Sequence, residues 1–263
     1  DKENINTITE SEHIGVEQNI MFYGYECDNH PELNNTVFVN MKLINRSTTT
    51  LNDTYIGLWT DYDLGYYMDD YVGCNVGLSL GYAFNGDAHD EGAAGYGFHP
   101  PSIGTILLGG PRADLNDGID NDRDGTIDEI GETILMSKFV YYNNNATVTG
   151  NPSTGTHFYN YLRGIWKDNV PMTYGGDGHG NGPGATTNLC NFIFPNATDL
   201  NFPAQAWTEV SAGNIPGDRR CLQSAGPFTF QPGAVHVIDY AFVFAQDTAG
   251  NNMSSLDSLF SYV

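Results

Sequence analysis

The stretch AVHVIDYAFVFAQ, residues 234–246, carries the strongest strand signal in the chain. Successive side chains of a strand point to opposite faces, and here both faces are apolar. Ile238, Tyr240, Phe242 and Phe244 form one, and Val235, Val237, Ala241 and Val243 the other. The pattern predicts a central strand covered on both sides, with Asp239 as a buried polar exception. Working outward, residues 35–46 alternate cleanly, with Val37, Val39, Met41 and Leu43 on one face and Asn40 and Lys42 on the other. NIMFYGYE (19–26), TYIGLWT (54–60) and ILMSKFVYY (134–142) read as further strands. The turn residues at 47–50 and 52–53 predict that strands 35–46 and 54–60 form a hairpin. Phe158, Tyr161, Leu162 and Ile165 have helical spacing, as do Leu256, Leu259, Phe260 and Val263. Two short helices are expected there, capped by Thr156 and by Ser254 or Ser255.

No β-α-β alternation, internal repeat or Pro/Ser-rich linker divides the 263 residues. The expected fold is all-β: an antiparallel β-sandwich, jelly-roll-like, with long loops and one or two short helices. Residues 1–18 are expected as an N-terminal arm or edge strand, and residues 19–263 as a single calcium-stabilised domain.

The net charge is −22, with only 10 Lys and Arg. Nucleic acid is excluded as a partner, because its binding depends on basic side chains at phosphates. No apolar run reaches membrane-spanning length, so no membrane insertion is expected. The four cysteines, Cys27, Cys74, Cys190 and Cys221, show no zinc spacing. Two disulfides in an oxidising compartment are expected, Cys27–Cys74 and Cys190–Cys221 among three connectivities. Asp1-Lys2-Glu3-Asn4 has no apolar signal core, which is expected of a mature or excised piece.

The richest chemistry lies in DLNDGIDNDRDGTIDEIGE, residues 114–132. Asp120, Asp122, Asp124, Gly125 and Asp128 keep the D-x-D-x-D-G spacing of a calcium loop. Calcium takes six to eight oxygens, and alternate residues of a curved loop turn theirs toward one centre. Asp114, Asn116 and Glu129 are further candidate ligands. Gly131 occupies the position where an EF-hand has its bidentate Glu, so a helix-free calcium loop is expected.

Asp61, Asp63, Asp69 and Asp70 form a second candidate group, for a metal or for acid/base work. Asp87, Asp90 and Glu91, near His89, form a weaker third. Gly77-Leu-Ser79-Leu-Gly81 matches the nucleophile elbow G-x-S-x-G, but no helix is expected after it, so a plain strand is the reading. His179 and Asp177 sit in a glycine-rich surface loop. Asp218-Arg219-Arg220 is expected to form structural ion pairs. N-x-S/T sequons begin at Asn34, Asn45, Asn52, Asn145, Asn196 and Asn252.

Four strings together carry a resemblance. They are YIGLWTDYDLGYYMDDYVGC (55–74), YNYLRGIWKDNVPMTYGG (159–176), GDRRCLQSAGPFTFQPGA (217–234) and DGIDNDRDGTIDE (117–129). The chain resembles a region of large secreted or surface proteins of Bacteroidota exported by type IX secretion. The resemblance implies an extracellular location and supports Asp120, Asp122, Asp124 and Asp128 as calcium ligands; it implies no catalytic residues. The functional expectation is a non-catalytic, calcium-binding surface module acting in adhesion, glycan binding or surface assembly. Tyr66, Tyr67 and Tyr71 would offer a sugar-stacking platform. The alternatives are a metal-dependent hydrolase of polysaccharide or peptide, and a subunit of a surface polymer or filament.

Overall fold

A computed structural model describes residues 11–203 and 206–263. The first strand, β1 (Val16–Tyr23), is followed by one helical turn, α1 (Pro31–Asn34). Then come β2 (Thr36–Asn45), β3 (Leu51–Asp61), β4 (Asp70–Asn75) and β5 (Leu80–Asn85). The short pair β6 (His89–Asp90) and β7 (Gly97–Phe98) precedes β8 (Ser102–Gly109) and β9 (Lys138–Asn143). Helix α2 (Gly155–Leu162), β10 (Arg219–Phe230), β11 (Val235–Ala245) and α3 (Asn252–Tyr262) complete the order. Among the described residues two large antiparallel sheets form, one of six strands ordered β1-β2-β11-β8-β5-β4 and one of three ordered β3-β10-β9, beside the two-stranded β6-β7 ribbon. The fold is thus an all-β sandwich with long loops and, among the described residues, three short helices.

The opening stretch is a central strand, β11, flanked by β2 and β8. Its coverage changes along its length. His236 and Ile238 face the inter-sheet core, where His236 packs against Phe228 and Phe230. Val243 and Ala245 point outward, into a second core where Leu256 and Leu259 of α3 cover Leu80, Tyr82 and Ile106. No described element covers the outer face nearer the start of β11, where Val235 and Val237 are exposed. Asp239 is half-buried rather than buried and accepts a 2.7 Å hydrogen bond from Asn40. The expectation of cover on both sides therefore holds only beneath α3.

The expected β2–β3 hairpin does not form: β2 pairs with β1 and β11, whereas β3 pairs with β10. The corner is closed by a side chain instead of a ladder. Asn45, fully buried, donates to Thr49 O and Phe230 O and accepts from Ser47 N. Its amide satisfies the backbone as the chain steps from one sheet to the other.

Between the sheets, Val72, Cys74 and Ala83 pack against Phe139, Tyr141 and Cys221. Gly81 is required there, because a Cβ at that position would strike Phe139. A buried polar link crosses the same interface: Thr105 donates to Gln223 Oε1 at 2.6 Å, and Gln223 Nε2 donates to Ser79 O at 2.9 Å. At the other end the six-stranded sheet overhangs, leaving a cleft of ≈ 270 Å³ lined by Met41, Leu43, Tyr55, Leu107 and Tyr240. Residues 16–18 belong to β1, the edge strand, where Ile20, Met21 and Phe22 are exposed; residues 1–10 of the expected arm lie outside the described residues.

Both expected helices are present, with different caps. Thr154, not Thr156, caps α2 through a hydrogen bond from His157 N. Asn251 caps α3, with Ser254 as the third helical residue of a capping box.

All four cysteines are free thiols. Cys27 follows β1 at one edge of the six-stranded sheet and Cys74 lies on β4 at the other. Five strand spacings, about 24 Å, far exceed the reach of a disulfide. Cys190 and Cys221 remain unbonded as well, with Cys190 packed at the margin of the core that contains Cys221. Burial pushes the Cys190 thiol up to about 12 and those of Cys74 and Cys221 well above their usual range. They act as small core side chains.

Candidate metal centre and neighbouring acidic sites

Residues 110–137, between β8 and β9, contain no helix. Their neck is an antiparallel bridge between Arg112 and Thr133. At the tip, backbone N–H groups turn into carboxylates. Asp124 N and Gly125 N donate to the two oxygens of Asp120, at 3.1 and 3.0 Å, and Thr126 N donates to Asp124 Oδ1 at 2.7 Å. Gly125 has φ +96°, which only glycine adopts without strain.

This folding brings five acids together as two groups that share Asp122. Asp120, Asp122 and Glu132 form one, and Asp122, Asp124 and Glu129 the other, each with oxygens within 4.8 Å of one another. Two oxygens on a common calcium at 2.3–2.6 Å are separated by at most about 5 Å, so each group fits the ion. Glu132 is buried and accepts from Asn121 N; Glu129 Oε2 is shielded from water and receives no hydrogen bond. The backbone N–H of Glu129 favours its ionised form. Partial desolvation and the charges of Glu132, Asp124 and Asp122 outweigh it and raise the carboxyl above its usual range. These are hard oxygen donors with excess negative charge, the set that a divalent cation satisfies.

The remaining candidates of this loop stand apart from the two groups. Asp114 is tied to β10, accepting from Thr229 N at 3.0 Å and Thr229 Oγ1 at 2.7 Å. Asp128 accepts from Gly118 N at 3.0 Å, and Asn116 is a left-handed turn residue with φ 62°. Gly131 lies where an EF-hand would have Glu, and its carbonyl is taken by Arg112.

The residue that seats the loop reads in sequence as a spacer. Arg123, with φ 61°, sends its side chain away from the carboxylates and into the body of the protein. It donates to Val76 O, Met136 O and Ser79 Oγ, and lies 5.8 Å from the Phe192 ring centroid. Ser79 is correspondingly buried in a positive-φ turn before β5, not raised on an elbow before a helix.

Asp61 and Asp63 gather with Asp218, again within 4.8 Å. Here a cation of the protein is already present: Arg220 reaches Asp61 at 3.0 Å and Asp218 at 2.6 Å. Burial raises the Asp61 carboxyl above its usual range, and Arg220 opposes the shift. The adjacent Arg219 pairs with Glu209 at 2.9 Å, so both arginines form the structural ion pairs expected of them.

Asp69, Asp70, Asp87, Asp90 and Glu91 form no such three-acid group among the described residues. Their work is local. Asp90, buried, accepts from Tyr66 N and Tyr96 N; Asp70, also buried, accepts from Leu64 N at 3.1 Å; Asp87 accepts from His89 N at 2.8 Å. Asp70 Oδ1 and both Asp69 oxygens receive no donor from the protein. Burial lifts the Asp70 carboxyl to about 8, with the Leu64 N–H opposing and Asp69 adding repulsion. Burial and the facing Glu91 carboxyl lift Asp69 to about 7.

Folding therefore takes up protons at these sites. Their contribution to stability is full below pH 4 and is lost as pH rises toward 8. Asp70→Asn removes that carboxyl's share of the dependence, leaving the share of Asp69, and keeps an acceptor for Leu64. The variant is expected to match the parent near pH 4 and to melt about 5–10 °C higher at pH 8. Melting curves across that range check it, and a constant difference would refute the assignment.

His179 Nε2 lies 2.8 Å from Asp168 Oδ2, and Asp177 caps its own turn by accepting from His179 N and Asn181 N. Tyr66 and Tyr67 are exposed with ring centroids 5.9 Å apart; Tyr71 is half-buried and donates to Asn214 O. Asn45 and Asn252 are buried, so two of the sequons are closed to glycosylation in the folded chain.

No protein-family model matches the chain, and no curated protein matches it.

Proposed function

We propose that the chain is an extracellular calcium-binding β-sandwich module with a non-catalytic role in adhesion, glycan binding or surface assembly. The observation that carries the reading is the paired acid group around Asp122, with the shielded, donor-free Glu129 Oε2 beside it. A net charge of −22 adds to the case, since bound cations relieve self-repulsion. The open edge of β1, with apolar side chains on both faces, suits contact with another surface molecule. No described helix is long and apolar enough to cross a membrane.

Calcium titration of the chelated protein tests the proposal. Free calcium at about 100 times Kd should stabilise the fold by about 2.7 kcal/mol. That corresponds to a rise in Tm of about 5–10 °C. Asp122→Ala, which removes the shared ligand, should abolish the rise. A melting curve that neither chelator nor calcium moves would refute the reading.

A further inference from the structure

The outer face of the three-stranded sheet carries a second cleft, of ≈ 370 Å³, remote in sequence from the acidic loop. Trp59 of β3, Leu222 of β10 and Tyr142 of β9 contribute from the sheet, and Phe158 of α2 from above, with Asn151 and Arg220 as polar members. Gly57 makes room for it, since a Cβ there would strike Leu162 of the overlying helix. The volume lies within the roughly 300–1,000 Å³ typical of small-molecule sites, and so does the balance of apolar lining with a few polar groups.

Trp59 is the distinctive member. It is 52% exposed on a strand, yet its indole N–H is fixed by a hydrogen bond to Tyr142 Oη. A large ring held in one orientation with a face open to solvent is a preorganised platform. Arg220 limits what can lie on it. Its charge is already balanced by Asp61 and Asp218, so the cleft has no unmatched positive charge for an anion. The chain as a whole, at −22, repels anions. An uncharged ligand with one apolar face and several hydroxyl groups fits both conditions: its C–H face stacks on the indole, and its hydroxyls meet Arg220 and Asn151.

We infer that this cleft is a binding site for a neutral hexopyranose unit of a glycan. The inference rests on the binding-module reading but not on calcium, which the melting experiment tests separately. Calorimetry and tryptophan fluorescence of the full chain with neutral oligosaccharides ending in glucose, galactose or mannose test it. Saturable binding is expected for at least one of them. Trp59→Ala should weaken it at least about tenfold, as loss of an aromatic contact of about 1.4 kcal/mol predicts. Trp59→Phe should retain part of it, and Tyr66→Ala/Tyr67→Ala should bind as the parent does. Should Trp59→Ala lower the melting temperature, Trp59→Phe decides: intermediate affinity supports the site, and parental affinity overturns it. Sugar binding undiminished in Trp59→Ala would overturn this site and leave the module reading standing. Absence of binding to every neutral sugar, or preference for sialylated or sulfated ones, would overturn the inference.

Discussion

Glu209→Ala is expected to lower the melting temperature by on the order of 10 °C, the largest single effect in the molecule. Glu209 is fully enclosed, and three donors converge on it: Val72 N at 2.7 Å, Asn214 Nδ2 at 2.8 Å and Arg219 Nε at 2.9 Å. Burial raises its carboxyl above the usual range, and Arg219 and the hydrogen bonds oppose that shift. The pair joins three separate pieces of chain: β4, β10 and the segment before β10. Removing the carboxylate leaves a nearly buried guanidinium without its partner, which costs about 3–5 kcal/mol. In a domain of this size each kcal/mol shifts Tm by about 2–4 °C. Glu209→Gln retains an acceptor but not the charge, so a smaller loss is expected. Calorimetric melting of both variants checks the order, and a Glu209→Ala loss below that of Glu209→Gln would overturn it.

The second large effect is expected at Arg123. Arg123→Ala strips Met136 O of its donor beneath the acidic loop and takes one of two donors from Val76 O, which keeps Ser79 N. Leaving a buried acceptor unsatisfied costs about 1–3 kcal/mol. A loss of about 1–3 kcal/mol is therefore expected even without metal. The variant should also bind calcium at least about tenfold more weakly, because the loop loses the anchor that preorganises its carboxylates. Arg123→Lys supplies a point charge in place of a planar fork and should recover only part of either loss. Melting with and without calcium separates the two effects. Unchanged calcium affinity in Arg123→Ala would show that the loop holds its shape unaided.

How far the chain could be read from its residues differed by kind of interaction. The strands with clean alternation or unbroken apolar runs, β2, β3 and β11, stood out because period-two patterning is a local property. The twelve-residue β10 was missed, although it pairs on both sides. Its sequence, RRCLQSAGPFTF, mixes charged, small and polar residues. The buried partners that justify them meet only in the folded chain: Thr105 lies 118 residues from Gln223, and Glu209, ten residues before Arg219, belongs to a loop without regular structure. Likewise β4 reads as an acidic stretch, because Asp70 takes up its structural hydrogen bond only in the folded chain.

The acidic loop divides in the same way. The convergence of Asp120, Asp122 and Asp124 is written in their spacing, since the turn that gathers them is made by adjacent backbone N–H groups. Glu132 joins because the Arg112–Thr133 bridge brings the loop's end back to its beginning. Asp114 stays out because β10 supplies it with two donors.

By itself, then, the sequence determined what depends on neighbours a few residues away: strand and helix periods, the all-β class, the carboxylate spacing of one loop. Tertiary structure alone decided which strands pair, which sheet each joins, and which polar groups are satisfied. Those outcomes depend on burial and on partners up to two hundred residues apart, as with Asn40 and Asp239. The aromatic cleft belongs to this second kind. Trp59 reads as one more strand residue until three strands and a helix place Tyr142, Phe158 and Arg220 around its ring.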